Sequence, residues 1–199
     1  LARRDFTVDA IAAELQDFIR LPAAIDGEKA VIDLGADHLI DPFHGQEDLH
    51  SGIIRAVSPT AFRDDPARLL RAVRLAAELG FGIEKETGSL IRRDSHLISS
   101  VAGERVREDL RRLLALSGAA AQLAYLDELG LLTAIFPELA AARGVSQPTV
   151  HVWDVFEHSL KTVAAVEFLM GEGAWVPDDG VLAAVPWSER LSRHFRQEV

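Results

Sequence analysis

The chain has 199 residues, 48% of them hydrophobic, no cysteine and a formal net charge of −10 at neutral pH. That length holds one large domain or two small ones without covalent staples, and the lack of cysteine excludes disulfide frameworks, thiolate metal sites and cysteine nucleophiles. No uninterrupted apolar stretch reaches the roughly 18 residues of a membrane span, and Leu1-Ala2-Arg3-Arg4 opens without a signal-peptide core. The expectation is a cytoplasmic protein with no membrane partner, of which this chain, lacking an initiator methionine, is a piece.

Val8, Ile11, Ala12, Leu15, Phe18 and Ile19 recur at helical spacing behind Asp5 or Thr7 as N-cap, which predicts a first helix to about Arg20, stopped by Pro22. Two short strands over 30–34 and 38–40 flank Gly35-Ala36-Asp37, a hairpin turn. Asp41-Pro42-Phe43-His44-Gly45 has turn chemistry, and a third short strand is expected over 53–57. From Ser58 onward the pattern is helical, punctuated by Gly and Pro. The spacing predicts helices over 65–79, 84–93, 103–116, 119–129, 131–135 and 153–170, then a Gly/Asp/Pro-rich loop over 171–180 and an amphipathic stretch over 187–199. The architecture expected is mainly α, with a small α/β remnant, a helix plus a short hairpin, ahead of an all-helical body.

The acidic net charge conceals a basic middle. Residues 51–116 carry 12 Lys and Arg against 9 Asp and Glu, and 11 of the 12 are arginine, leaving 9 basic against 22 acidic residues elsewhere. Within that window Arg63-Asp64-Asp65-Pro66-Ala67-Arg68-Leu69-Leu70-Arg71-Ala72-Val73-Arg74 is the most informative stretch. Pro66 suits a first helical turn capped by Asp64 or Asp65. On a continuous helix Asp64, Arg68 and Arg71 share a face, Asp65 stands beside Arg68 at i+3, and Leu69, Leu70, Val73 and Ala77 take the other side. A carboxylate beside a guanidinium offers an acceptor and a donor in fixed geometry, which suits the edge of a nucleobase, while further arginines hold phosphates. A capped helix with solvated ion pairs worth about 0–1 kcal/mol each explains the same residues, and on them alone both readings stand.

Four motifs in order decide between these readings: Arg3-Arg4-Asp5-Phe6-Thr7-Val8-Asp9-Ala10, Ile40-Asp41-Pro42-Phe43-His44-Gly45-Gln46-Glu47-Asp48-Leu49, the Asp65 helix, and Glu104-Arg105 with Asp109-Leu110. Together they resemble the bacterial class II tRNA nucleotidyltransferase and poly(A) polymerase family, over about residues 3–170. The resemblance implies that Arg3, Arg4 and Asp5 help bind the sugar and triphosphate of an incoming nucleotide. It implies that Asp65 and Arg68 read the base of CTP or ATP, that Arg71 and Arg74 bind nucleotide too, and that Glu104 and Arg105 support the reading helix. An i,i+4 pair of Arg105 with Asp109 accounts for the last motif without function. Residues 1–57 would be the end of a catalytic head or palm, 58–117 a helical neck, and 118–199 a helical body with the start of an HD-like region.

The chain departs from the family pattern in three places. Asp9 stands where the family usually has asparagine, Asp64 where glutamate is usual, and the segment 16–37 is longer than the usual link. The resemblance also implies Mg2+ held by an Asp-x-Asp pair expected upstream of Leu1, so that no catalytic carboxylate or metal ligand is assigned here and this piece alone is expected to be inactive. Asp33, Asp37 and Asp41 read as turn residues rather than ligands. His151-Val152-Trp153-Asp154-Val155-Phe156-Glu157-His158 resembles the entry to an HD region, with His158 at a first ligand position but without the dyad that should follow; a helix histidine packed among neighbours is the reading preferred. His44 and His96 have no ligand spacing. The partners implied are the tRNA 3′ end and acceptor arm and nucleoside triphosphates, ATP and CTP being the substrates. CC addition, A addition, poly(A) synthesis or a non-catalytic RNA- or nucleotide-binding module are the alternatives to CCA addition, and a purely structural helical body with a solvated arginine face is a third class. Oligomeric state is not legible.

Overall fold

The computed structural model describes residues 1–14, 24–26, 29–31, 38–146 and 153–170. Its strands are β1 (Ala12–Ala13), β2 (Ala24–Asp26), β3 (Lys29–Val31), β4 (Leu39–Ile40), β5 (Ile53–Ile54) and β6 (Gly82–Ile83). Its helices are α1 (Gly45–Ser51), α2 (Ala61–Asp64), α3 (Arg68–Leu79), α4 (Lys85–Asp94), α5 (Gly103–Leu114), α6 (Ala119–Glu128), α7 (Leu131–Ile135) and α8 (Val155–Leu169), joined by 3-10 turns at Thr7–Asp9, Ser95–Ser100 and Pro137–Ala142. The fold is mainly α, as expected, and no described helix is long and apolar enough to cross a membrane.

The front of the chain differs from expectation. Instead of a helix from Val8, the chain makes a 3-10 turn and then β1, which pairs antiparallel with β4, Ala12 opposite Ile40; residues 15–20 of the expected helix lie outside the described residues. Tertiary pairing outcompetes the helical period here. The Thr7 N–H donates to the Arg55 carbonyl, the Val57 N–H to the Asp5 carbonyl, and Phe6 bridges Ala56, so this backbone is committed across the chain rather than along it. The expected hairpin is also rearranged: β3 pairs with β2, and β4 pairs with β1, while Gly35-Ala36-Asp37 lies outside the described residues. The strand expected over 53–57 shortens to β5, whose partner β6 lies parallel to it beyond Ser58, where no strand was foreseen.

The helical part follows its periodicity within one or two residues at most ends, the usual uncertainty of helix boundaries. The exception sits before α3. The residue ahead of a proline is pushed out of the α region, so Asp65 is extended (φ −147°, ψ 100°) and the expected helix over 65–79 divides into the single turn α2 and the helix α3. Helix α3 buries Leu69, Leu70, Ala72, Val73 and Ala76, and ends at Gly80, whose left-handed φ of 68° lets the chain reverse. Around it close Phe6, Ile54, Phe62, Ile91, Ile98 and Leu113, with Leu126, Leu129, Leu131, Leu132 and Phe156 completing the same core. Truncating one such fully buried leucine to alanine costs about 2–5 kcal/mol. This core holds α3 rigid between the N-terminal turn on one side and α5 on the other.

Candidate functional site

The charged groups at the start of α3 converge on Asp5. Its carboxylate is buried beneath two guanidiniums: Arg68 Nε lies 2.6 Å from Oδ1 as an ion-pair contact without hydrogen-bond alignment, and Arg71 Nη1 donates to Oδ2. Arg68 also donates from Nη2 to the Arg3 carbonyl at 2.7 Å and from Nη1 to the Ala61 carbonyl at 3.2 Å. One side chain thus joins the N-terminal loop, α2 and α3. Arg3 and Arg4 are exposed alongside, and neither makes an ion pair among the described residues.

Asp65 has a different partner from the one its spacing suggested. Because the chain is extended there, the carboxylate sits ahead of the helix, accepts from the Ala67 N–H at 3.2 Å, and is forked by Arg105 at 3.3 and 3.0 Å. Burial pushes the Asp65 carboxyl up, but the Arg105 fork, the Ala67 N–H and the more distant charge of Arg68 together hold it below the usual carboxylate range. Asp64 leaves the shared face altogether: it ends α2 and accepts from the Thr60 hydroxyl at 3.0 Å.

Arg74, three residues beyond Arg71, turns the other way. It is buried and reaches Asp109 on α5 at 3.0 Å, with Glu78 at 3.7 Å; Arg112 closes the same seam on Glu78 at 2.9 Å. The i,i+4 pair of Arg105 with Asp109 is not formed as an ion pair, since each residue is spent on the chain around α3. Glu104 is exposed in the first turn of α5.

Further residues seat the N-terminal loop, among them Asp41, expected as a turn residue. Asp41 accepts from the Gly45 and Gln46 N–H groups at 2.7 and 2.9 Å and so caps α1; two backbone donors hold its carboxyl down despite the opposing effect of burial. A side chain at Gly45 would place its Cβ 2.0 Å from the Thr7 carbonyl oxygen, so only glycine lets α1 pack against the Thr7–Asp9 turn. Asp48, buried, accepts from the Thr7 hydroxyl at 2.7 Å and from Arg55 at 2.9 and 3.1 Å. Burial raises its carboxyl, and the Arg55 and Thr7 donors more than offset this. A signal for this network lay in the close spacing of Asp41, Gly45 and Asp48. Asp9 accepts from the Phe6 N–H at 3.1 Å, and its burial pushes its carboxyl up.

No group of three or more His, Asp or Glu among the described residues could hold a metal ion. Asp33 and Asp37 lie outside those residues, as do His151 and Val152 and the expected amphipathic stretch over 187–199. His158 is on α8, His96 is exposed in the turn before α5, and His44 stands 3.6 Å from Glu47 at the start of α1.

Chemically, the junction between the N-terminal loop and α3 sets an ionised acceptor, Asp65, and a multidentate donor, Arg68, at one helix end, with the exposed cations Arg3 and Arg4 beside them. Residues 80–143 match the sequence family described as "Probable RNA and SrmB-binding site of polymerase A". Over 168 residues the chain is 35% identical to an A-adding tRNA nucleotidyltransferase of Deinococcus radiodurans, an alignment covering 82% of this chain and 34% of that protein. Over 152 residues it is 40% identical to a multifunctional CCA protein of Xanthomonas campestris, covering 74% and 32%. The Bacillus stearothermophilus CCA-adding enzyme, solved in complex with CTP, superposes with a TM-score of 0.51 at 34% identity over 65% of this chain and 28% of that one. The chain spans about a third of the length of the curated relatives it matches.

Proposed function

The chain belongs to the tRNA nucleotidyltransferase family, and on that premise we propose that the protein carrying it adds CTP- and ATP-derived nucleotides to the 3′ end of tRNA in the cytoplasm without a nucleic-acid template. In this reading residues 1–57 close the catalytic head, 58–117 form the neck with the base-reading helix, and 118–199 open the body. CCA addition is the first choice; relatives named for A addition and for the multifunctional CCA reaction match at similar identity, so addition of a partial end is the second reading.

The observation that carries the proposal is the placement of an extended, ionised Asp65 just ahead of α3 and of Arg68 in its first turn, near enough for the Arg68 charge to act on the Asp65 carboxyl. Asp65 is held ionised by Arg105 and so accepts from an exocyclic amine, which cytosine and adenine both carry and uracil lacks. Arg68 supplies the donor to the neighbouring ring acceptor. To do so it exchanges the Arg3 or Ala61 carbonyl for the base, a swap between equivalent hydrogen bonds. Arg3 and Arg4 meet the triphosphate, Asp5 the sugar, and Arg71 the phosphates from α3. Arg74 belongs to the nucleotide set by its place in the motif, and its burial against Asp109 makes its contribution one of holding the helix.

Nucleotidyl transfer would draw on Mg2+ for Lewis-acid activation of a hydroxyl and for neutralising pyrophosphate charge. The carboxylates at this site, Asp5, Asp9, Asp41, Asp48 and Asp65, do not fit that ion, being spent on arginines, backbone N–H groups and a hydroxyl, so no step here runs through it. The acceptor arm of tRNA is assigned to the neck, where Arg92 and Arg107 are exposed within the matched residues 80–143.

The test is nucleotide incorporation by the intact protein on tRNA lacking its 3′ CCA. Arg68→Ala is expected to lose about 10- to 100-fold in kcat/KM for CTP and ATP while tRNA binding is retained. Equal loss of nucleotide and tRNA binding would remove Arg68 from the reading site.

A further inference from the structure

Outside the site just described, the described residues bury one carboxylate under two arginines with no part in nucleotide contact. Asp94, the last residue of α4, is 1% exposed. Its Oδ1 accepts from Arg63 Nε at 3.2 Å and Arg93 Nε at 3.0 Å, and its Oδ2 accepts from Arg93 Nη2 at 2.6 Å. The same Nη2 donates to the Pro59 carbonyl at 2.9 Å. Pro59 precedes α2 and Arg63 lies within it, so the clamp grips this segment at both ends.

Helix α2 has four residues. A single turn does not hold its shape by itself, because nucleation is unfavourable and almost no propagation follows. It is held by the burial of Ala61 and Phe62 and by the Asp94 clamp. Both base-reading residues depend on where α2 sits. Asp65 is its C-cap, joined to it covalently, and Arg68 Nη1 takes its bearing from the Ala61 carbonyl. Arg105 fixes only the tip of the Asp65 side chain; its backbone is tied to the Ala61 carbonyl of α2 and to the Arg68 N–H of α3, and α2 is clamped from the α4 side.

We propose that Asp94 is a positioning residue for base selection, which through Arg63, Arg93 and the Pro59 carbonyl holds α2 where Asp65 and Arg68 present acceptor and donor at the spacing of one base edge. This rests on the assignment of Asp65 and Arg68 as the base-reading pair. Its consequence differs from that of a generally weakened fold. Loss of folded protein lowers turnover of every nucleotide in proportion, whereas a shifted α2 erodes the difference between nucleotides, since misplacing reacting or reading groups by about 1 Å costs up to about 100-fold.

The test uses the intact protein and tRNA lacking its 3′ CCA, with kcat/KM measured for CTP, ATP, UTP and GTP, and with thermal melting to establish folding at the assay temperature. Asp94→Asn keeps the volume but removes the charge that two guanidiniums share. It is expected to cut discrimination against UTP and GTP about tenfold, mainly through a higher KM for CTP and ATP. Arg93→Gln alters a side chain near the surface and severs the Pro59 link; it is expected to cut discrimination in the same sense, and it decides the matter if Asp94→Asn does not fold. A folded Asp94→Asn protein with unchanged discrimination overturns the proposal, as does an unchanged Arg93→Gln protein where only that variant folds. Asp65→Ala, run in parallel, separates the two levels: unchanged discrimination in that variant overturns the base-reading assignment and this inference together, whereas its loss there with retention in Asp94→Asn overturns the positioning role alone.

Discussion

Arg71 and Arg74 stand three residues apart on one helix, carry the same side chain and belong to the same sequence motif, yet they lie in different environments. Arg71 is a third exposed and reaches back to Asp5 in the N-terminal loop, whereas Arg74 is 11% exposed and reaches forward to Asp109 on α5. The first ion pair borders solvent and a ligand can reorganise it. The second is sealed between helices, where each charge depends on the other. A run of arginines at helical spacing therefore need not mean one binding face; about 100° of rotation per residue distributes them between a site and the seam that supports it.

The largest effect that tests this contrast is on stability. Arg74→Ala leaves Asp109 buried without its partner and is expected to destabilise by about 3–5 kcal/mol, read as a lowered denaturation midpoint, with nucleotide selectivity preserved in the protein that remains folded. A selectivity change at full stability would move Arg74 from the seam to the site. Gly45→Ala acts on the other region. Its Cβ collides with the Thr7 carbonyl, so α1 or the Thr7–Asp9 turn must shift, at about 1–3 kcal/mol; we expect a weakened nucleotide KM with α5 unaffected by hydrogen exchange, and uniform loss of protection across α3 and α5 would contradict the separation.

A smaller effect is set by pH. The folded carboxyl of Asp65 is depressed below its unfolded value, so the Asp65–Arg105 tie contributes fully above about pH 4 and fades as the pH falls through the depressed value. Arg105→Gln weakens that dependence, leaving only the Ala67 N–H and the Arg68 charge, and the variant is expected to lose less stability than the parent between about pH 5 and about pH 3. Equal acid loss in the two proteins would show that the tie adds nothing.

Much of the helical body was legible because its signal is local. Leu131–Ile135 lies between Gly130 and Phe136-Pro137, and of the apolar set Leu69, Leu70, Val73 and Ala77 the first three are buried, with Ala76 taking the place expected of the half-buried Ala77. The N-terminal loop was not legible as structure. Val8, Ile11 and Ala12 carry a helical period, but the backbone around them is claimed by Arg55 and Val57 some fifty residues later, and no local pattern reports that pairing. The site was legible as residues and not as contacts. Asp65 and Arg68 stood out, whereas their partners Arg105 and Asp5 were placed in other roles, because one extended residue before Pro66 rotates the carboxylate off the helix face. Asp94 gave no signal, since a carboxylate ending a surface-patterned helix looks the same whether it faces water or two arginines.

The measurement that reaches the central claim most directly is calorimetric binding of CTP, ATP and GTP to the intact protein and to its Asp65→Ala, Arg68→Ala double variant. If the N-terminal end of α3 reads the base, CTP and ATP bind about 10- to 100-fold more tightly than GTP to the parent and the difference disappears in the variant, with the remaining affinity carried by the triphosphate. Persistence of the full preference in the variant would contradict the account and send the search for base recognition elsewhere in the protein.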